Sequence, residues 1–201
     1  MNPVSINGFT VGVLDIQGSV EEHLAVLRRL GVEAREIKTV RDLDDVAGLI
    51  IPGGESTTIG KLMKAYGLDK AIHVRAVGTS KARGKPLTVW GTCAGAILLA
   101  KDMHLSLKRN AYGRQVDSFE TELEIPALGT RPVPAIFIRA PIIKKASPKA
   151  KILAEYQGSP VMVREGNFLA TTFHPELTDD TRVHEYFLSL TKEYAKGQLK
   201  N

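Results

Sequence analysis

The chain has almost no cysteine and no long apolar run, and each of these absences excludes a class of protein. Cys93 is the only cysteine among 201 residues, so no internal disulfide can form and a reducing, cytoplasmic compartment is expected. No apolar run approaches membrane-spanning length, and residues 1–10 have neither the basic start nor the apolar segment of a secretory signal. We therefore expect a cytoplasmic protein that makes no membrane contact.

The sequence also lacks the usual patterns of nucleic-acid, nucleotide and metal sites. The net charge is +5, but the basic residues are spread along the chain without interleaved aromatic residues. This distribution favours a solvated basic face, or a surface for an acidic protein partner, over a nucleic-acid site. No glycine-rich stretch has a P-loop ending or a dinucleotide-binding spacing, and no side chains are paired at metal-ligand spacing. We expect no nucleic-acid partner, no cofactor and no metal.

Strand-like and helix-like segments alternate in the first half of the chain, which predicts an α/β fold with a parallel sheet covered on both faces. The strand patterns cover residues 9–16, 34–38, 49–51 and 87–90, and the helix patterns begin near Val20, Ser56 and Asp69. Ser19 with Glu22 resembles a capping box at the first helix, and Ser56 to Thr58 can cap the second. The length suits one domain over residues 1–201, with 1–8 as a leading segment and 195–201 as a frayed tail.

Beyond Ala100 the pattern changes to short strand-like runs separated by turns, which predicts a β-rich second half on the same sheet. These runs cover residues 121–125, 133–138, 151–156, 161–164 and 168–173. Residues 157–160 and 165–167 have the composition of hairpin turns. A last helix is predicted from about Asp179 to Tyr194, with Val183, Phe187 and Leu190 on one face.

Cys93 lies at the corner between a strand pattern and a helix pattern. The run Leu87–Trp90 meets Gly91–Gly95 and passes at once into the apolar run Ala96–Ala100, which leaves no room for a loop. Small residues suit such a tight turn. This is the arrangement of a nucleophile elbow with cysteine at the nucleophile position, although a lone buried structural thiol would also fit the corner.

His174 is the histidine best placed to act as the base for Cys93. The other four lie in predicted helices or in a polar connection, where surface or packing roles are expected: His23, His73, His104 and His184. His174 ends a strand pattern and precedes Pro175-Glu176. In an extended segment residues 174 and 176 share one side, so the carboxylate could hold the imidazole. An ordinary turn explains this motif equally well by itself, but together with Cys93 it predicts a catalytic triad.

The loop at Gly53-Gly54 is a further candidate part of the site. It could be a tight strand-to-helix turn that needs glycine, or it could bind an anion or oxyanion through its backbone N–H groups. In open parallel sheets, ligands bind beyond the carboxyl ends of the strands. Gln17-Gly18, Gly53-Gly54 and Cys93 all follow such ends, so they are expected to meet at one site.

Three of these motifs together resemble the triad glutamine amidotransferases: Gly91–Gly95, Pro52–Ser56 and His174–Leu177. Within that group, four stretches are similar to the glutaminase subunits of pyridoxal 5′-phosphate synthases: residues 53–58, 109–120, 137–141 and 173–178. The resemblance extends from about Phe9 to Tyr194. The family normally has a longer connection that includes a strand where this chain has only Lys101–Lys108.

The resemblance implies a flavodoxin-like three-layer α/β sandwich and the hydrolysis of L-glutamine to glutamate and ammonia. It implies that Cys93 attacks the amide carbon, that His174 acts as base and then acid, and that Glu176 orients His174. It further implies that the partner is a synthase subunit in a hetero-oligomer, with ammonia passing to it through a channel. By matching motif, the backbone N–H groups of Gly54 and Ala94 would form the oxyanion hole, and glutamine would be bound by Gly54, Glu55, Ser56, Arg109, Ile138 and Arg139.

Two alternatives stand beside this hypothesis. The chain could be a non-catalytic regulatory or scaffold subunit with the same fold, although the presence of Cys93, His174 and Glu176 argues against a decayed site. It could also be a cysteine hydrolase or stress protein that shares only the elbow. Such a protein would have no reason to carry the motif at residues 109–120.

Overall fold

The computed structural model describes residues 8–78, 87–108 and 118–197, and its centre is a seven-stranded sheet. The strands are β1 (Thr10–Leu14), β2 (Glu33–Ile37), β3 (Val46–Ile51), β4 (Thr88–Thr92), β5 (Ser106–Lys108), β6 (Ser118–Leu123), β7 (Val133–Ile138), β8 (Ile142–Lys145), β9 (Lys151–Tyr156), β10 (Ser159–Glu165) and β11 (Phe168–Thr171). The order in the main sheet is β2-β1-β3-β4-β11-β10-β9. The first five of these are parallel to one another, β10 is antiparallel to β11, and β9 is antiparallel to β10.

The helices cover both faces of this sheet. They are α1 (Val20–Arg29), α2 (Ser56–Ala65), α3 (Leu68–Val77), α4 (Ala94–Leu99) and α5 (Arg182–Ala195). Short 3-10 turns lie at Val40–Leu43, Pro126–Leu128 and Pro175–Leu177. No helix of the described ranges is long and apolar enough to cross a membrane.

Two apolar cores flank the sheet because neighbouring residues of each buried strand point to opposite faces. In β4, for example, Trp90 packs with α1 and α5, whereas Val89 packs with α2, α3 and α4. The patterns of β1, β3 and β4 are nearly continuous apolar runs because both faces of these strands are buried, whereas the edge strand β2 is partly exposed and more polar. The predicted α/β sandwich with a mostly parallel sheet is confirmed.

The second half of the chain follows the prediction only in part. Both predicted hairpins are present: β9 pairs with β10 and β10 pairs with β11. At the first turn Gln157 and Gly158 have φ of 49° and 72°, the positive pair that two-residue hairpin turns require. However, β6 and β7, which correspond to the runs predicted at 121–125 and 133–138, pair only with each other among the described residues, so the prediction that they join the main sheet was wrong. The strands β5 and β8, which were not predicted, also form a separate pair.

The structure also corrects the description of two segments, the connection after α4 and the last helix. The connection Lys101–Lys108, shorter than is normal for the resembling family, still contains a strand, β5. The helix α5 begins at Arg182 rather than Asp179, and it continues through Ala195, the first residue of the predicted tail. Residues 1–7 and 198–201 lie outside the described residues, so most of the predicted leading segment and tail receives no test.

Candidate active site

Cys93 lies between the end of β4 and the start of α4, as the elbow pattern predicted. It has a φ of 46°, which is uncommon for a residue with a side chain and is typical of strained functional turns. The backbone N–H of Cys93 donates to the carbonyl of Thr171 at 2.8 Å, which ties the elbow to β11. Cys93 is buried, with 8% of its surface exposed, and it lines the cavity described below.

Two glycines allow the elbow to pack against the sheet. A Cβ atom on Gly95 would lie 2.0 Å from the carbonyl oxygen of Ile51, and one on Gly91 would lie 2.3 Å from the carbonyl carbon of Gly95. Real Cβ atoms do not approach backbone atoms that closely. The first turn of α4 can therefore rest on β3 and β4 only because both positions lack a side chain.

His174 and Glu176 form the predicted pair, but by a different local geometry. Nδ1 of His174 lies 2.7 Å from Oε1 of Glu176, and both side chains are buried. The expectation of an extended segment was wrong, because Pro175–Leu177 forms a 3-10 turn that begins directly after His174. The N–H of His174 donates to the carbonyl of Ile136 at 2.8 Å, which fixes the start of this turn against β7.

The surroundings of His174 favour its charged form. Burial by itself lowers the pKa of this imidazole, but interactions with Cys93 and Glu176 outweigh burial and raise the pKa to about 10. Nε2 makes no hydrogen bond of good geometry with any described group. Besides Glu176, Cys93 is the group that raises the pKa of this ring. A proton that His174 takes from the thiol is thus retained near neutral pH.

Glu176 has polar neighbours from distant parts of the chain. Burial raises the pKa of its carboxyl, but the neighbouring His23, the bond from His174 and the bond from Ser19 together hold this pKa below its usual range. The hydroxyl of Ser19 donates to Oε1 at 2.7 Å, and Nε2 of His23 lies 3.5 Å from Oε2. The carboxylate is therefore ionised and fixed in orientation.

The contact from Ser19 corrects the predicted capping box at α1. Ser19 is the N-cap residue, but its side chain makes no cap hydrogen bond. Its hydroxyl instead reaches Glu176, which lies 157 residues away in the sequence. The sequence signal for the helix start was right, and the role of the serine side chain was wrong.

A cavity of about 620 Å³ opens beside Cys93 and His174. Its lining includes all but one of the predicted glutamine-binding and oxyanion positions: Gly54, Glu55, Ser56, Ala94, Ile138 and Arg139. Ile138 also accepts a contact from the Cys93 thiol, whose Sγ lies 3.8 Å from the Ile138 carbonyl oxygen. Arg109 lies outside the described residues, so its predicted role stays a prediction.

The glycine loop after β3 lies directly over the histidine. A Cβ atom on Gly53 would lie 2.3 Å from Cε1 of His174, so this backbone approaches the ring as closely as glycine permits. The next peptide is held by Gln17, whose Oε1 accepts from the N–H of Glu55 at 2.8 Å. The three strand ends expected to meet do meet here, since Gln17, Gly54 and Cys93 all line the cavity.

Glu55, rather than Ser56 to Thr58, caps α2. Its carboxylate accepts from the backbone N–H groups of Thr57 and Thr58 at 2.9 and 2.7 Å. The hydroxyl of Thr58 and these N–H groups lower the pKa of the Glu55 carboxyl to about 2. The predicted cap was therefore misplaced by one residue, and the Glu55 side chain holds the helix start at the edge of the cavity.

The other histidines divide into two groups. His73 and His104 are exposed and lie near Asp102 and Glu165, as expected for surface histidines. His23 and His184 are fully buried, as expected for packing histidines, but they pack directly behind Glu176. The sequence signal for this burial was their helical spacing, since His23 lies four residues before Leu27 on the apolar face of α1.

Comparison with known proteins gives consistent results over most of the chain. The model of the SNO glutamine amidotransferase family matches residues 13–193. The pyridoxal 5′-phosphate synthase subunit PdxT of Moorella thermoacetica is 51% identical over 191 residues, covering 90% of this chain and 98% of that protein. The protein of the same name from Thermus thermophilus is 47% identical over 193 residues, covering 90% and 96%.

Two solved structures have a similar architecture. A crystal structure of a glutamine amidotransferase matches with a TM-score of 0.84 and 44% identity, covering 90% of this chain and 98% of that one. A Thermoplasma acidophilum protein, described as a GMP synthase subunit, matches with a TM-score of 0.72 and 19% identity, covering 94% and 97%. The second similarity shows a shared fold only.

Proposed function

The chain belongs to the SNO glutamine amidotransferase family, and we propose that Cys93, His174 and Glu176 are its catalytic triad. It is a glutaminase, the subunit that supplies ammonia from L-glutamine for the synthesis of pyridoxal 5′-phosphate, a form of vitamin B6. The observation that carries the assignment of residues is the 2.7 Å contact between His174 and the buried Glu176, on the cavity that Cys93 lines.

In the proposed first half-reaction Cys93 forms a thioester with the substrate. His174 takes the thiol proton, and the thiolate sulfur attacks the side-chain amide carbon of glutamine. The tetrahedral intermediate collapses as the C–N bond breaks, and His174 Nε2 gives its proton to the leaving nitrogen, which departs as ammonia. A γ-glutamyl thioester remains on Cys93.

In the second half-reaction water releases glutamate. His174, now neutral, removes a proton from a water molecule that attacks the thioester carbon, and the C–S bond breaks as the proton returns to sulfur. Glu176 keeps Nδ1 protonated and stabilises each imidazolium form. The oxyanion of both intermediates would be bound by the backbone N–H groups of Gly54 and Ala94, at about 3 kcal/mol for each donor.

The cavity supports a matching proposal for substrate binding. Gly54, Glu55, Ser56, Ile138 and Arg139 would bind glutamine, since all of them line the space next to Cys93. Arg139 has a φ of 43°, so a strained backbone places this cationic residue at the rim, where a guanidinium suits the substrate α-carboxylate. Arg109 remains part of the proposal on its sequence motif alone.

The proposal extends to assembly and location. The curated relatives are named as subunits of pyridoxal 5′-phosphate synthase, so the chain acts together with a synthase subunit. We place the two in a hetero-oligomer without nucleic acid or membrane, with residues 1–201 as one glutamine amidotransferase domain. The single cysteine agrees with a cytoplasmic location. A non-catalytic scaffold role has no support, because His174 is bonded to Glu176 and lies with Cys93 on one cavity.

We predict that the synthase subunit stimulates this chain. Ammonia released from glutamine should be measured for the chain alone and with a synthase subunit in excess, by coupling to glutamate dehydrogenase. A large increase in kcat/KM is expected, because enzymes of this kind couple the release of ammonia to its use by the synthase. A synthase heated until it is unfolded serves as the control. Full activity of the isolated chain would contradict the coupling but would leave the triad assignment intact.

Replacing Gly53 by alanine should slow the reaction while the fold is kept. The added Cβ would meet His174 Cε1 at 2.3 Å and force the imidazole out of its present position. A displacement of about 1 Å is expected to lower kcat/KM on the order of 100-fold. Gly60→Ala is the matched control, because its Cβ meets only the end of the Leu98 side chain. Equal activity of the two variants would show that the loop does not hold the ring in place.

A further inference from the structure

A pair of buried histidines lies behind the triad and belongs to no part of the mechanism above. His23 on α1 and His184 on α5 are both 0% exposed. Nδ1 of His23 lies 3.0 Å from Nε2 of His184, although 161 residues separate them in the sequence. The other nitrogen of His23, Nε2, faces Glu176 Oε2 at 3.5 Å and the Thr92 hydroxyl at 3.3 Å. The pair thus continues the line from Cys93 through His174 and Glu176.

The two oxygens of Glu176 are bound very differently. Oε1 accepts from both Ser19 and His174 at 2.7 Å, whereas Oε2 has no hydrogen bond of good geometry among the described residues. A buried carboxylate oxygen without a donor is costly. His23 Nε2 faces Oε2 at 3.5 Å and the Thr92 hydroxyl at 3.3 Å, so a proton on this nitrogen would be shared between Thr92 and Oε2 and would give Oε2 a donor.

The contact with His184 decides where that proton lies. One hydrogen is shared between Nδ1 of His23 and Nε2 of His184. If His184 donates it, Nδ1 of His23 is an acceptor and the His23 proton must be on Nε2, directed at Glu176. If His23 donates it, the Nε2 lone pair can accept from the Thr92 hydroxyl but also faces the carboxylate, and His184 must carry its own proton on Nδ1, which is buried without a partner among the described residues. The first arrangement is therefore favoured.

Both rings are held in place by the sheet. The indole of Trp90 meets the His23 ring edge to face at 5.5 Å and the His184 ring at 4.8 Å. Trp90 Nε1 in turn donates to the hydroxyl of Thr171 at 3.1 Å. The tryptophan therefore leaves the two histidines little freedom to turn.

We propose that His23 is a positioning residue that donates from Nε2 to Glu176, and that His184 fixes the tautomer that makes this donation possible. The proposal rests on the assignment of Glu176 to the triad. A fixed carboxylate keeps His174 Nδ1 protonated and its Nε2 directed at Cys93 in both half-reactions. The two histidines contact neither the substrate nor the reacting atoms.

The charges around the pair are consistent with a neutral His23. The groups that act on it are Glu176, His174 and Glu22, and those that act on His184 are His23, Glu176 and Arg29. Burial is the largest influence, and it lowers the pKa of both histidines. Each ring is then neutral near pH 7, as donation through a fixed tautomer requires.

His23→Gln and His23→Asn provide a matched pair of variants. Both side chains are neutral amides, but the amide nitrogen of glutamine falls near the position of Nε2, whereas that of asparagine falls near Nδ1. Only glutamine can donate to Glu176. Glutaminase kinetics should be measured with the synthase subunit present, from pH 5 to pH 9, and thermal unfolding of each variant should be recorded.

We expect His23→Asn to lower kcat by roughly 10- to 100-fold with KM within twofold, and His23→Gln to lose less than threefold. In the asparagine variant the basic limb of the kcat/KM profile should move to lower pH, because a carboxylate that is held less well stabilises the imidazolium of His174 less. His184→Leu should show a smaller shift in the same direction.

Equal kcat values and unshifted pH profiles for the two His23 variants would overturn the proposal, even if both were less stable, because a packing role alone would affect only stability. That result would leave the triad assignment standing, since it is tested separately by Cys93→Ala. If the asparagine variant did not fold, the comparison would use His23→Gln and His184→Leu. A wild-type pH profile for His23→Gln and a shifted profile for His184→Leu would then support the proposal. Two unshifted profiles would refute it.

Discussion

Cys93→Ala is expected to release no ammonia from glutamine above background, a loss of at least about 10⁴-fold in kcat. The sulfur is the only atom of the site that can form the thioester, and the chain has no second cysteine to replace it. Oxyanion binding and proton transfer by His174 remain in the variant, but they have no covalent intermediate to act on. Ammonia release should be followed at saturating glutamine with the synthase subunit present.

The same variant should keep its fold. Alanine has the Cβ atom of cysteine, so the positive φ of 46° costs the same in both proteins. The variant loses the contact between the sulfur and the Ile138 carbonyl oxygen, which is long at 3.8 Å. The unfolding free energy should therefore change by less than about 1 kcal/mol. Cys93→Ser is the control for shape and polarity, and it should also be inactive. Activity retained by Cys93→Ala would remove the basis of the mechanism.

Gly95→Ala should have the largest effect on stability. Its Cβ would lie 2.0 Å from the carbonyl oxygen of Ile51 and 2.9 Å from the carbonyl carbon, and neither backbone atom can move without separating α4 from β3. We expect a loss of about 4 kcal/mol in unfolding free energy and a fall in Tm of about 10 °C. Thermal unfolding monitored by circular dichroism gives this value directly.

Gly60→Ala is the control for this substitution. Gly60 lies inside α2, and its added Cβ would meet only the Leu98 Cδ2 atom at 3.1 Å, at the end of a flexible side chain. The change also gains helix propensity of up to about 1 kcal/mol. Its Tm should stay within about 3 °C of wild type. Similar Tm values for the two variants would mean that the close approach at Gly95 is not required.

Much of the site could be predicted because parallel strands bring their carboxyl ends to one edge. Cys93 follows β4, His174 lies shortly after β11 and Gly54 follows β3, and these strands are neighbours in the sheet. Local patterns placed Cys93 and His174 at strand ends, and the alternation of strands and helices predicted that those ends would meet. The hairpin at Gln157-Gly158 was predictable because its turn chemistry is local.

The remainder depends on contacts that no local pattern contains. Ser19 carries the sequence signal of a capping box, but its hydroxyl donates to the buried carboxylate of Glu176, 157 residues away, instead of capping the helix. The turn at Pro175–Leu177 holds His174 and Glu176 together without the extended backbone expected for them. The strands β5 and β8 are short and half polar, so they are defined by pairing with each other rather than by an apolar run.

The single cysteine allows the central claim to be tested by one measurement. The chain with its synthase subunit should be mixed with glutamine, quenched in acid during turnover, and digested for peptide mass spectrometry. The account predicts a γ-glutamyl adduct on the peptide that contains Cys93, and no adduct in Cys93→Ala. Rapid ammonia release without any adduct on Cys93 after the quench, together with activity of the alanine variant, would contradict it.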